Sequence, residues 1–393
     1  MRSLNGLKLI ALLSVCFAVI ASGSLANAQE DGDDVSIGKY RVIHSKILNE
    51  DRRLLIHLPR GYEESRITYP VVYHLYGDYI SAYYAEAIAI VDELGDAARA
   101  PRMIVVGIDN PDRYRDHRPL WPDGRPAGSA NFLRFVAEEV IPFVEDNYKA
   151  KDYRILVGPQ AGAVFCLYSL MERPDLFDAF IMDNPFTEPA NSDWLMKRAE
   201  GFFSEQEPPA EFLFMTFGRI GERPIRLARI YSFAELTYEM QEKGFRLELN
   251  HLIDNDDSIQ PMELKKALKT LFRDYKMPPD LEISGLADIM DYYSELSKRY
   301  GFEVDPSDIQ MTFNVDSLVE RGLVDEAVEL LHYQLSLYPA SVNAYWRLGG
   351  IKGEQGKIDE AIGFYQKCIE LNPNAAPMAR RQIERLEAER DKK

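Results

Sequence analysis

Tyr153-Arg154-Ile155-Leu156-Val157-Gly158-Pro159-Gln160-Ala161-Gly162, followed by the apolar stretch 163–171, decides how this chain folds. A β-branched apolar run, 154–157, passes into a helical stretch, 161–172, through two glycines four residues apart. Glycine at both places allows a tight turn and a close approach of helix to strand, and the residue midway, Gln160, is thrust out above the sheet edge. Outward from that turn the same alternation repeats. Apolar runs stand at 40–47, 52–58, 71–75, 103–108, 154–157, 179–183, 212–217 and 245–251. The first two, with Asn49-Glu50-Asp51 between them, read as a hairpin. Helical stretches at 82–97, 130–148, 161–172 and 262–275 separate the others. Runs 71–75 and 103–108 are apolar almost throughout, the mark of strands buried on both faces. The pattern predicts an α/β class: a mostly parallel eight-stranded sheet covered on both sides.

Several segments then carry a resemblance. They are Tyr69-Pro70-Val71-Val72-Tyr73-His74-Leu75-Tyr76-Gly77-Asp78, Asp112-Arg113-Tyr114-Arg115-Asp116, residues 132–148 with Ile141-Pro142, residues 153–162, and Arg173-Pro174-Asp175-Leu176-Phe177. Through them residues 36–277 resemble the esterase family of α/β-hydrolases that includes esterase D-like and enterochelin-esterase-like proteins. The resemblance implies the α/β-hydrolase fold, and a nucleophile elbow, G-x-S-x-G, at residues 158–162. Some bacterial members carry a tetratricopeptide pair after a segment like Leu296-Ser297-Lys298-Arg299-Tyr300-Gly301, so the likeness extends over nearly the whole chain.

The family's chemistry does not carry over with the fold. Where the elbow serine would stand the chain has Gln160, an amide that no base can turn into a nucleophile. The acid follows run 212–217, where Glu222 is the nearest candidate. The family's histidine position falls on Asp256 in Asp256-Asp257-Ser258-Ile259. Loss of the serine or the histidine alone removes on the order of 10⁶ in kcat, and loss of both removes little more. About 10³–10⁴ over water survives from the oxyanion hole and binding. Its donors would be backbone N–H groups at Ala161 and at Tyr76-Gly77. The expectation is a pseudo-esterase that binds; the alternative is an active carboxylic-ester hydrolase with a relocated catalytic set.

Candidates for such a set are few. His44, His57 and His74 lie in strands and read as satisfied structural histidines, and His332 lies in the tail. His251 lies five residues before the vacant position, and His117 falls in a loop expected to edge the cleft. Ser169 is two turns into the elbow helix, and Ser258 is the hydroxyl nearest the vacant histidine position. Tyr76, Tyr79, Tyr83, Tyr84 and Trp121 fall in loops that, by the resemblance, surround the site, where aromatics suit flat or sugar-like ligands or simply pack. Arg113 and Arg115 can hold an acidic group or pair with Asp112 and Asp116. The expected partners are an ester-like or aromatic small molecule and a protein engaged through the repeats. No cofactor motif is present, and Cys and His lack metal-ligand spacing.

The tail is periodic. Gly322 recurs as Gly356, Asp325-Glu326-Ala327 as Asp359-Glu360-Ala361, Leu337 as Leu371 and Pro339 as Pro373. The period is 34 residues, that of a helix–turn–helix repeat. Tyr345, Leu348, Gly349, Ala361, Tyr365 and Pro373 follow the tetratricopeptide spacing, from which the first copy departs at Met311 and Asn314. Two repeats with a capping helix at 376–390 are expected over 306–391, after a linker and bridging helix at 278–305. A pair of repeats rarely buries a continuous core alone, so the tail is expected to lean on the larger domain.

The first 28 residues read as a secretory signal peptide. Arg2 and Lys8 precede the apolar stretch 9–20, and Ala26-Asn27-Ala28 is a small-x-small cleavage site. The mature protein is expected to be secreted, in the periplasm, with no membrane span. Of 393 residues, 63 are acidic and 46 basic, for a net charge of −17, which argues against nucleic acid or an anionic membrane as partner. Cys166 and Cys368 sit on apolar helix faces in different domains and read as buried free thiols.

Overall fold

A computed structural model describes residues 36–75, 82–159, 161–183, 185–186, 188–205, 212–218, 224–252, 260–278 and 281–391. The expected signal peptide lies outside them. Eight strands form one sheet: β1 (Lys39–Ser45), β2 (Glu50–His57), β3 (Tyr69–Leu75), β4 (Ile104–Ile108), β5 (Ala150–Pro159), β6 (Ala179–Asp183), β7 (Phe212–Gly218) and β8 (Arg246–Leu252). Their order is β1-β2-β4-β3-β5-β6-β7-β8. β1 and β2 run antiparallel to their neighbours, and β4, β3 and β5 to β8 are parallel. Every run read as a strand is one. β3, β4 and β6 are buried along their whole length, as strands covered on both faces must be.

The hairpin turn falls earlier than read. Ser45 pairs with Glu50, so Glu50 and Asp51 belong to β2 and the turn is residues 46–49. Asn49 takes the positive φ, 54°, that such a turn needs and that asparagine tolerates.

Helices cover both faces. α1 (Ala82–Asp96) is followed by the short α2 (Arg113–His117), then by α3 (Ser129–Phe135) and α4 (Ile141–Asn147), joined through one π-helical turn, Val136–Val140. Pro142, at the start of α4, has no N–H to continue the α-helical ladder, and the wider turn precedes it. α5 (Ala161–Glu172), α6 (Pro189–Glu205), α7 (Pro224–Leu236), α8 (Tyr238–Glu242) and α9 (Gln260–Leu271) complete the α/β part. Side chains alternate across each strand. Val72, Val105, Ile155 and Phe214 meet Val91 of α1 and Leu268 of α9, while Tyr73, Val106 and Leu156 meet Phe132, Phe165 and Phe202 on the other face. Helix α6 is an addition to the sequence reading. Its polar opening, Pro189-Ala190-Asn191-Ser192-Asp193, resembles a loop, yet Leu195, Ala199, Phe202 and Phe203 are buried at helical spacing.

The tail comprises α10 (Leu286–Tyr300), α11 (Asp308–Glu320), α12 (Val324–Leu337), α13 (Val342–Glu354), α14 (Ile358–Leu371) and α15 (Ala376–Arg390). α11 and α13 start 34 residues apart, and so do α12 and α14. Ser307 and Ser341 cap the two first helices alike, each Oγ accepting from the backbone N–H three residues on at 3.2 Å. Gly322 and Gly356 make the two turns at φ 78° and 73°.

The first repeat is not separate from the sheet. Ile289, Tyr293 and Leu296 of α10 and Met311, Val315, Leu318 and Leu330 of the repeat share one buried cluster with Val72, Tyr153 and Phe272. Residues from Ile37 onward form one compact unit. The second repeat and α15 close a smaller core around Ala361, Tyr365 and Leu386. Cys166 and Cys368 are buried free thiols. Among the described residues no helix is long and apolar enough to cross a membrane.

Candidate functional site

β5 ends at Pro159 and α5 begins at Ala161, so strand turns to helix within one residue at the carboxyl edge of the sheet. Gly158 is required there. A Cβ on it would lie 2.4 Å from the carbonyl oxygen of Gly162 and 2.5 Å from Sγ of Cys166. β3, β7 and β8 end on the same edge, at Leu75, Gly218 and Leu252. In sequence the segments with Tyr76-Gly77, Glu222 and Asp256 follow these three ends. Those residues, with Gln160, Tyr79 and Ser258, lie outside the described residues. Ser169 is fully buried inside α5.

A cavity of about 50 Å³ opens beside the turn. Its floor is His74, residues 157–159, residues 181–183 and Thr216 from the strand ends, and its walls come from α1 and α9. Ala87, Ile90, Val157, Ile181 and Leu264 make it largely apolar; Glu86, Asp183 and Glu263 bring three carboxylates. No lysine or arginine stands among the described residues that line it.

His74 departs from the sequence reading. It is 4% exposed, and its Nδ1 has no hydrogen-bond partner among the described residues. Strand alternation puts its ring on the α1 side with Val72, and the ring meets Tyr84 edge-on at 6.1 Å. Burial pushes its pKa down to about 4, so the imidazole is neutral. It is a buried histidine, as read, but not a satisfied one.

The loop after β4 is locked from below. Arg52, fully buried at the start of β2, donates to Asp116 Oδ2 at 2.5 Å, to Glu50 Oε1 and to the carbonyl of Asp109 at 3.1 Å. Arg115 donates to Asp116 at 2.6 Å and to Glu50 at 2.7 Å, so it is held as an internal ion pair. Arg115, followed by burial and Arg52, sets the balance that holds the Glu50 carboxyl below its usual range. His117 is not at the cleft edge. It is fully buried between Phe132 and Phe165, accepts from the amide of Asn110 at 2.6 Å, and is pushed by burial down to about 3. Arg113 lies over the Tyr114 ring. Trp121 sits in a tight turn, its N–H donating to the carbonyl of Arg125 at 2.8 Å. Tyr84 belongs to the core, its hydroxyl donating to the carbonyls of Leu55 and Val105, whereas Tyr83 is partly exposed at the cavity. His44 and His57 pair with Asp51 and Asp92 at 2.8 and 3.1 Å.

Residues 45–210 match the family described as "Putative esterase", and residues 342–375 match a tetratricopeptide repeat. The uncharacterized protein YjcH of Bacillus subtilis is 27% identical over 147 residues, 37% of this chain. The chain spans 60% of that relative's length. Ferri-bacillibactin esterase BesA of Bacillus subtilis is 25% identical over 229 residues, covering 51% of this chain and 78% of that protein. A crystal structure titled as an IroE-like serine hydrolase from Shewanella oneidensis superposes with a TM-score of 0.61 at 23% identity, over 75% of this chain and 98% of that one. The chain has an esterase-family fold with a tetratricopeptide segment.

Proposed function

We propose that this chain, with residues 45–210 on the esterase pattern and a repeat at its end, is an exported pseudo-esterase that binds an ester-like ligand with little or no turnover. The observation that carries the reading is Gln160, the residue between β5 and α5, where the family's nucleophile stands. The buried histidines lend it support. His117 is engaged by Asn110 beneath the elbow helix, and the catalytic histidine position holds Asp256. The likeness to a ferri-bacillibactin esterase makes siderophore esters the first ligands to try. The repeats favour a protein partner as well. Export rests on the pattern of residues 1–28 alone.

The test is hydrolysis of a short-chain chromogenic ester by the purified mature chain, beside Gln160→Ala. Turnover at the buffer rate is expected. Turnover that Gln160→Ala abolishes sinks the reading. A working hydrolase is favoured by one observation, the neutral His74 beside Pro159. Turnover lost in His74→Gln would select that alternative.

A further inference from the structure

β1 is the outermost strand of the sheet. It pairs with β2 on one side and, among the described residues, with no strand on the other. Lys39, Tyr40, Arg41 and Val42 are exposed in succession. An edge of this kind presents unpaired backbone N–H and C=O groups, a template for a further strand.

Side chains alternate across the strand and give the edge two rows. One row is Tyr40, Val42 and His44, opposite Leu55, Arg53 and Asp51 of β2. Tyr40 is 38% and Val42 63% exposed, and the Arg53 guanidinium lies over the Tyr40 ring at 5.1 Å. The other row opens with Lys39 and Arg41, opposite Ile56 and Leu54, and Ile43 then packs on the core. The edge is therefore apolar on one face and cationic on the other.

Charge decides what such an edge takes. Residues 37–46 contain Lys39, Arg41 and Lys46 and no acidic residue, in a chain of net charge −17. Among the described residues none of the three stands in an ion pair; Arg41 donates to the carbonyl of Tyr40. The neighbouring carboxylates are engaged elsewhere. Asp51 bonds to His44 at 2.8 Å on the other row, Asp109 to Arg53 at 2.7 Å, and Glu139 accepts from the backbone N–H groups of Lys46 and Ile47. At about 0.15 M salt the Debye length is about 8 Å, so these local cations, and not the net charge, set the field an incoming strand meets. The same cations oppose a second copy. Antiparallel pairing of β1 with itself about Val42 would set two copies of Arg41 diagonally across from each other and join two chains of the same net charge.

We propose that the outer edge of β1 is a docking site for an extended acidic segment of another protein, which adds to the sheet as a further strand, its acidic residues over Lys39 and Arg41 and its apolar residues over Tyr40 and Val42. Main-chain hydrogen bonds supply affinity in such an addition, and the alternating side chains supply selection. The surface is separate from the cavity at the strand ends and from the repeats, so the inference stands whether or not the chain turns over an ester.

The probe is a fluorescent peptide of seven residues, the length of β1, alternating valine with aspartate. It is titrated into the full mature chain and read by anisotropy. Saturable binding is expected. Affinity should fall at least about tenfold in Lys39→Glu with Arg41→Glu, and about threefold in Val42→Ser. These positions are exposed, and circular dichroism checks that both variants keep the fold. The same peptide methylated at every backbone nitrogen keeps its charges and loses its donors, and should not bind. Absence of saturable binding by the parent peptide overturns the proposal, as does affinity unchanged in both variants. Equal affinity of the methylated peptide overturns it too, since the contact would then be charge alone. Equal affinity of a peptide alternating valine with lysine removes the acidic selection and with it the proposal. A dimer of the chain in sedimentation, weakened by Val42→Ser, gives the edge to a second copy and also overturns it.

Discussion

The ammonium of Lys151, on β5, lies 2.8 Å from the carboxylate of Asp305, just before the first repeat helix, with both side chains largely buried. The same ammonium also donates to the carbonyl of Glu303. Nearby, Tyr153 packs on Phe302 with ring centroids 4.2 Å apart and planes tilted by 35°, and the Arg66 N–H donates to the carbonyl of Leu337 at 2.9 Å. Sheet and tail thus share ion pair, aromatic contact and backbone hydrogen bond.

Removal of residues 303–393 should therefore not release a folded sheet domain. It bares Tyr153 and Phe272 and removes both partners of the Lys151 ammonium. The expected result is loss of soluble protein, checked by expression and circular dichroism. Asp305→Asn in the full chain should cost about 3 kcal/mol in chemical denaturation, because one charge of a buried pair is left behind.

Stability should fall on acidification. His74 and His117 are held neutral by burial, with pKa values lowered from 6.5 to about 4 and about 3. Below pH 6.5 the unfolded chain takes up protons first. The stability these residues supply is whole above pH 6.5 and lost as pH drops toward 4. Each contributes a slope of about 1.4 kcal/mol per pH unit across that window. Urea denaturation from pH 7 to 4.5 should show it, and His74→Phe should flatten it by about half.

Within the second repeat, Gly349 and Tyr365 are fitted to each other. A Cβ at Gly349 would stand 2.9 Å from Cζ of Tyr365, which is buried. Thirty-four residues earlier the same places hold Val315 and Leu331. Gly349→Ala should destabilise by about 1 kcal/mol, overpacking outweighing the better helix propensity. In a Tyr365→Leu background the same change should stabilise by about 1 kcal/mol. Thermal denaturation of the four proteins of this cycle checks the reversal of sign.

Restoring only the nucleophile should not restore an enzyme. On the proposed reading Gln160→Ser still lacks a base, because the resemblance puts Asp256 at the histidine position and triad members act as a unit. Turnover of the chromogenic ester is expected to stay within about tenfold of background. Gln160→Ser with Asp256→His should exceed it by at least about a hundredfold.

Much of the architecture was legible because it is written in short periods. Runs such as 71–75 and 103–108 announced buried strands, and Gly158 and Gly162 announced a close strand–helix turn. What was misread involved either a polar opening that hid a local pattern or contacts between distant residues. The opening of α6 looks polar, yet Leu195, Ala199, Phe202 and Phe203 carry a helical stripe that could have revealed it. His117 resembled a cleft residue beside Arg115 and Asp116, but α2 turns it under Phe165, and Asn110 meets it there. Tyr84 reads like its neighbour Tyr83, and only the carbonyls of Leu55 and Val105 mark it as core.

Strand number, the α/β class, the 34-residue period and the glutamine between Pro159 and Ala161 were set by local order and residue identity, which are one-dimensional properties. Whether a charge or an imidazole is solvated is not such a property. The solitary Nδ1 of His74, the carboxylate-lined cavity and the Lys151–Asp305 weld arise from residues up to 189 positions apart, between His74 and Glu263. Burial is decided by what packs against a side chain, and that exists only once the chain has closed on itself.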